Sequence, residues 1–203
     1  MHARLLVAAL AASVLACSDS GEPNGNDASK LPSELNILRL RGDSPPLFNP
    51  VVSFYAVRGQ NREARIFFDD GQGREGDEYL RLLLDAGSLL AYPDGTGFAV
   101  GDSVLITIRV VDPARPLFEL EPSGLRLSPQ TPAKLRIRYQ RVDGDLNADG
   151  KLDVQDVELE STLAIWRQET PGDPFVRLGT ILLVDLDEVE ATLEGFSRYA
   201  LAY

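Results

Sequence analysis

Histidine and cysteine are nearly absent: His2 and Cys17 are the only examples in 203 residues, and both lie close to the N-terminus. The rest of the chain therefore lacks the imidazole and thiol from which hydrolytic triads, histidine metal sites and thiolate nucleophiles are built. No disulfide is available, so a hydrophobic core must hold the fold together. Lysine is equally scarce, with only Lys30, Lys134 and Lys151. The first two fall in a polar N-terminal segment and on the polar face of an expected strand. Positive charge is short overall: 20 Lys and Arg stand against 31 Asp and Glu, for a net charge of −11. That balance argues against nucleic acid as a partner and against electrostatic docking to anionic lipid. A glycosidase-like carboxylate pair could be drawn among so many acids, but no spacing selects one. The chain is expected not to be an enzyme.

Long hydrophobic runs are missing too. The longest, Leu5 to Ala16 in "MHARLLVAALAASVLAC", falls short of the ~20 apolar residues a membrane span needs. With Arg4 before it and small residues after it, residues 1–16 read as a secretory signal. The stretch "VLAC" resembles the lipobox of bacterial lipoproteins. The resemblance implies that Cys17 is lipidated and becomes the mature N-terminus, which puts the protein in the cell envelope. It would be anchored to the outer membrane, on its periplasmic or its surface face. Loss of Arg4 with the signal takes the net charge from −11 to −12. Residues 17–33, "CSDSGEPNGNDASKLPS", have no apolar periodicity and are expected to be a disordered tether. Its r.m.s. reach is roughly 20–25 Å. Residues 34–203 have the length of one domain.

That domain is rich in short strand-like runs. "VVSFYAV", "EARIFF", "YLRLLL", "SVLITIRVV", "LFELE", "KLRIRYQ", "LAIWRQE", "FVRLGTILLV", "VEATLEG" and "SRYALAY" are bounded by turn clusters such as "DDGQGREGD" and "YPDGTG". In "KLRIRYQ", Leu135, Ile137 and Tyr139 alternate with Lys134, Arg136, Arg138 and Gln140. Period two marks a half-buried strand. Ten such runs with little helix predict an all-β fold, an antiparallel β-sandwich.

From about residue 101 the order of these runs is distinctive. Pro122, Gly124, Leu125 and Leu127 are followed by Pro132, then Leu135, Ile137 and Tyr139, and the chain closes on "GFSRYALAY". This pattern resembles the β-sandwich module of zona-occludens proteins, netrin receptors and ankyrins, with Leu127 where an aromatic is common. The resemblance implies an interaction or scaffolding role. Some members of that family cleave themselves at a His-Phe-Ser sequence. Here the corresponding residues are Gly195, Phe196 and Ser197. Without the histidine, Ser197 lacks an activating base, so no self-cleavage is expected, and Ser197 is read as a strand residue.

One stretch breaks the β pattern: "DGDLNADGKLDVQD", residues 143–156. Against the twelve-residue calcium-loop template, Asp145, Asn147 and Asp149 occupy positions 1, 3 and 5. Gly150 sits at position 6, where the chain needs positive φ. Lys151 would offer its backbone carbonyl at position 7, Asp153 a carboxylate or water-mediated contact at position 9, and Asp156 the closing carboxylate at position 12. Leu152 at position 8 is expected to anchor the loop in the core. Oxygen donors alone suit a hard cation, and calcium is the expected cofactor. Asp156 replaces the usual glutamate, a substitution that is normal in dockerin repeats, which "DLNADGKLDVQDVEL" resembles. Dockerins pair two such repeats and this chain has one, so cohesin binding is not implied. The loop, 145–156, is read as an insertion between the strands Lys134–Gln140 and Leu163–Glu169, with "DVQDVELEST" able to form a short helix.

Two smaller features carry less. Arg41-Gly42-Asp43-Ser44 contains an integrin-recognition tripeptide, but with Pro45 and Pro46 following it is better read as a turn. Trp166 is expected in the core, with a sugar-stacking platform as the alternative. Together these readings predict a lipid-anchored, calcium-stabilised envelope protein with a binding or structural role rather than catalysis, its partner an unknown envelope protein or glycan. The alternative is a glycan-binding or glycan-processing role.

Overall fold

The computed structural model describes residues 28–203. The expected signal segment, Cys17 and the tether as far as residue 27 lie outside the described residues.

The elements in chain order are β1 (Ser29–Lys30), β2 (Val51–Val57), β3 (Arg62–Asp69), β4 (Glu75–Leu84), β5 (Leu89–Ala91), β6 (Ser103–Asp112) and β7 (Leu117–Glu121). Then come β8 (Arg126–Leu127), β9 (Ala133–Arg138), the helix α1 (Val154–Glu160), β10 (Ala164–Gln168) and β11 (Phe175–Arg177). The chain ends with β12 (Thr180–Leu183), a single 3₁₀ turn at Val184–Leu186, β13 (Glu188–Leu193) and β14 (Arg198–Ala202). Seven strands form one antiparallel sheet in the order β1-β11-β10-β14-β7-β6-β2, five form a second in the order β12-β13-β9-β4-β3, and β5 pairs with β8. The expected all-β sandwich is the fold observed.

Alternation builds the core. Ile106, Ile108, Phe118 and Leu120 project from the larger sheet and Ile66, Leu82, Leu135 and Ile137 from the smaller, and all join one buried cluster. Both sheets contribute to it, so neither half of residues 34–203 buries its apolar face without the other. The outer face of the smaller sheet is a lattice of opposite charges. Arg81 and Arg136 stand directly opposite one another across β4 and β9. That repulsion is offset by Glu78, 2.7 Å from Arg81, and Glu190, 2.6 Å from Arg136.

The outer face of β10 and β14 is covered instead. Ala164, Trp166, Ala200 and Ala202 form a second buried cluster with Leu35 and Phe175. Leu35 belongs to the segment that follows β1, and Ile37 forms a bridge with Ala202. Trp166 is therefore a core residue, 3% exposed, with its Nε1 donating to the Ala202 carbonyl at 3.3 Å. Lys30 Nζ lies 5.3 Å from the ring centroid. A buried indole offers no platform for a sugar.

Three expectations need correction. The tether expected over 17–33 is not uniformly structureless: Ser29 and Lys30 pair with Val176 and Phe175. "FVRLGTILLV" is two strands, because β11 pairs with β10 in the larger sheet and β12 with β13 in the smaller. The chain changes sheets at Leu178–Gly179, and a continuous apolar run conceals such a crossing. Ser197 lies just before β14 rather than within a strand.

Candidate metal centre

The acidic loop occupies one of the crossings between the sheets. It leaves β9 of the smaller sheet and leads through α1 to β10 of the larger. Its entrance is fixed by Val142, which bridges Leu40, and by Asp143, whose amide donates to the Arg39 carbonyl at 2.9 Å. Its exit is α1, capped by a reciprocal pair of acids. The Asp153 carboxylate accepts from the Gln155 amide at 2.9 Å, and the Asp156 carboxylate accepts from the Asp153 amide at 2.9 Å. Two carboxylates at a helix N-terminus satisfy orphan amides and suit the positive end of the dipole. The short outgoing helix expected from "DVQDVELEST" is present.

Within the loop, each polar side chain at a template position closes a local turn. Asp145 accepts from the amides of Asp149 at 3.1 Å and Gly150 at 2.8 Å. Asn147 Oδ1 accepts from Asp149 at 2.9 Å, and Asp149 accepts from Lys151 at 2.9 Å. Gly150 has φ +82°, the conformation its template position requires. The Lys151 side chain is exposed.

Asp156 reaches back across the loop. Its Oδ1 accepts from the amides of Leu146 at 2.8 Å and Asn147 at 3.4 Å. Only 6% of the residue is exposed. The Asp153 amide, with those of Leu146 and Asn147, holds its carboxyl below the ordinary value of 3.8, against an opposing contribution from desolvation.

The loop's donors are all oxygens, the kind a hard cation takes. An ionised carboxylate has about four lone-pair sites, so the amide contacts leave acceptor capacity on Asp145, Asp149, Asp153 and Asp156. Among the described residues, none of the ion pairs involves Asp143, Asp145, Asp149, Asp153 or Asp156. No group of three or more acidic, imidazole or thiol side chains is already gathered as a cage among the described residues. The loop's carboxylates are turned onto its own backbone amides.

Leu152 does not anchor the loop. It is 77% exposed, and the half-buried Leu146 packs against the core in its place. The Tyr203 hydroxyl donates to the Leu146 carbonyl. The Tyr139 hydroxyl donates to Glu160 at 2.9 Å and ties the end of α1 to the end of β9. Burial, followed by that hydrogen bond, raises the Tyr139 pKa. Sequence spacing could not have found Tyr203, which lies far from the loop in the chain, and alternation marks Tyr139 only as a strand residue. Asp143 and Gln155, inside the quoted stretch but given no ligand position, also bond within the loop. Asp143 accepts from the Asp145 amide at 3.2 Å, and Gln155 Oε1 accepts from Asn147 Nδ2 at 3.2 Å.

The remaining candidates lie apart from the loop. Arg41 to Ser44 form a turn closed by a 3.0 Å bond from the Ser44 amide to the Arg41 carbonyl. Ser197 is 3% exposed, and its hydroxyl accepts from Arg167 Nε at 3.1 Å. A cation, not a base, faces that oxygen.

Fold and loop define an antiparallel β-sandwich in which one of the crossings between the two sheets is an acidic turn followed by a capped helix. No protein-family model, no curated protein and no solved structure matches the chain. No helix among the described residues is long and apolar enough to cross a membrane.

Proposed function

We propose that this chain is a lipid-anchored cell-envelope protein whose β-sandwich is stabilised by calcium in the loop 145–156, and that its role is binding or structural rather than catalytic. The observation that carries this reading is the loop's uncompensated charge. The acids of the smaller sheet face arginines, whereas the loop acids have only backbone amides. Calcium would be held by Asp145, Asn147, Asp149, Asp153 and Asp156 with the Lys151 carbonyl, and would supply the positive charge that the loop lacks. Its service is then to pin the end of β9 and the start of α1, and through them the junction of the two sheets. A single loop with one helix has no helix pair to open, which favours a structural metal over a sensor.

Kinship with the zona-occludens, netrin-receptor and ankyrin module is part of the proposal. It is supported by the turn at Pro122–Gly124, where Gly124 has φ +79°, and by the burial of Leu125, Leu127, Leu135, Ile137 and Tyr139. That kinship favours a protein or glycan of the envelope as the partner.

Attachment rests on Cys17. Stable anchoring takes two acyl chains where one is marginal, and a lipoprotein cysteine carries at least two. Fractionation of cells expressing Cys17→Ser should find the protein released from membranes and folded. Recovery of the substituted protein in the membrane fraction would refute the anchor.

A further inference from the structure

One end of the sandwich carries α1 and the single 3₁₀ turn, and it presents apolar side chains to solvent. Leu152 is 77% exposed, Val154 68% and Val157 62%; on the turn, Val184 is 54% and Leu186 55% exposed. Leu152, Val157 and Asp187 line one groove, so helix and turn belong to one surface. Tyr139 ties the two together. Its amide donates to the Asp187 carbonyl at 2.8 Å and its hydroxyl to Glu160 at 2.9 Å. Apolar residues gathered in this way at a surface mark a place of contact.

The N-terminal segment enters the fold at the same end. The Ala28 carbonyl accepts from the Arg177 amide at 2.9 Å, and the Arg177 guanidinium donates at 3.4 Å to the carbonyl of Thr162, just past α1. Residues 17–27 lead from Cys17 to this point, with an r.m.s. reach of roughly 17–20 Å. Val100 marks the opposite end. From there β6 runs back to Asp112, about 30 Å at ~3.4 Å per residue, and beyond it the Ala114 carbonyl accepts from Leu40 beside the loop entrance.

We infer that this end of the sandwich docks on a zwitterionic lipid surface through Leu152, Val154, Val157, Val184 and Leu186, the surface being the membrane to which Cys17 ties the chain. The docking rests on the anchor proposed at Cys17. A short flexible tether presents the patch to the bilayer at an effective concentration of about millimolar, so a small apolar area suffices. The neighbouring acids select the headgroup. Asp153, Glu158, Asp185 and Asp187 are exposed and adjacent in sequence to the apolar residues, with Lys151 the only cation so placed. An anionic surface would be repelled, and a second copy covering the patch would bring the same acids face to face.

Cys17 is the only cysteine, so the mature chain can be coupled through its thiol to maleimide-bearing lipid in phosphatidylcholine vesicles, whether or not cells acylate it. Val154→Trp and Val100→Trp, at sites 68% and 86% exposed on opposite ends, are compared in millimolar calcium on vesicles with brominated acyl chains. An apolar face on a bilayer sits ~5–10 Å into the headgroup and acyl boundary, so the emission added at 154 should fall by about half or more. The emission added at 100 should be unchanged, as should that of Trp166 in the parent. Adding Val157→Asp and Leu186→Asp to Val154→Trp should abolish the quenching, with melting unchanged because both sites are exposed. Phosphatidylglycerol in place of phosphatidylcholine should weaken it. Equal quenching at 154 and 100, quenching that survives the paired aspartates, or stronger quenching on phosphatidylglycerol would overturn the docking. So would a dimer of the Cys17→Ser chain that Val157→Asp disperses, which would assign the patch to a second copy. Retention of Cys17→Ser in cell membranes bears on the natural anchor alone, because the vesicle tether is chemical.

Discussion

Asp156 gathers the amides of Leu146, Asn147 and Asp153 on a single carboxylate while also helping to cap α1. Those bonds favour its ionised form and depress its pKa in the fold. A group depressed on folding contributes stability above its unfolded pKa and loses it as pH falls through the folded value. Stability of the calcium-free protein should therefore decline below about pH 4, the ordinary carboxylate range. Asp156→Asn should flatten that decline, and urea unfolding at a series of pH values reads the difference. Parallel curves for parent and variant would remove Asp156 from the account. Trp166 poses a simpler question of packing. It fills the second buried cluster, and truncating a buried tryptophan typically costs ~3–5 kcal/mol. Trp166→Ala should lose that much in urea, and a loss under ~1 kcal/mol would mean that the indole is not packed as described.

Among the elements, the loop and its helix are the sensitive unit. A methyl group added at Gly150 would meet no atom within 4 Å, so any penalty there comes from its φ of +82° rather than from crowding. Gly150→Ala should destabilise the protein by ~1–2 kcal/mol, the cost of a left-handed conformation for an L-residue, read from denaturant midpoints at unchanged slope. An unchanged midpoint would argue that the loop rearranges freely. This unit was legible in the sequence because most of its side-chain bonds reach amides two to five residues away, a range that spacing can encode. Leu152 was misread because the template assumes a partner surface for position 8, and Leu146 takes the core contact here. Most strands were visible for a similar reason: alternation in "KLRIRYQ" or "LFELE" records which face is buried. The strands β1, β5 and β8 were not visible, being two or three residues long and defined by distant partners such as Phe175 and Leu127.

In the whole molecule, the loop and helix carry the chain from the smaller sheet to the larger at one end of the sandwich. The N-terminal segment is tied to the same end through Arg39 and Leu40, and the C-terminus through Tyr203. Repulsion among Asp145, Asp149, Asp153 and Asp156 thus acts where several parts of the chain meet, and a cation there would stabilise the whole fold. Binding to the native state alone contributes RT ln(1 + [L]/Kd), about 2.7 kcal/mol at a hundredfold excess of ligand over Kd. For a domain of this size that corresponds to a shift of about 5–10 °C in Tm. Magnesium should substitute poorly, because it prefers a smaller octahedral shell and keeps its waters. The most direct measurement is the thermal melting of the mature protein in chelator, in millimolar calcium and in millimolar magnesium, beside the Asp145→Ala variant. The account predicts that calcium raises Tm by that amount, that magnesium does so weakly, and that the variant melts alike in all three. A parent protein whose melting ignores both chelator and calcium would contradict it.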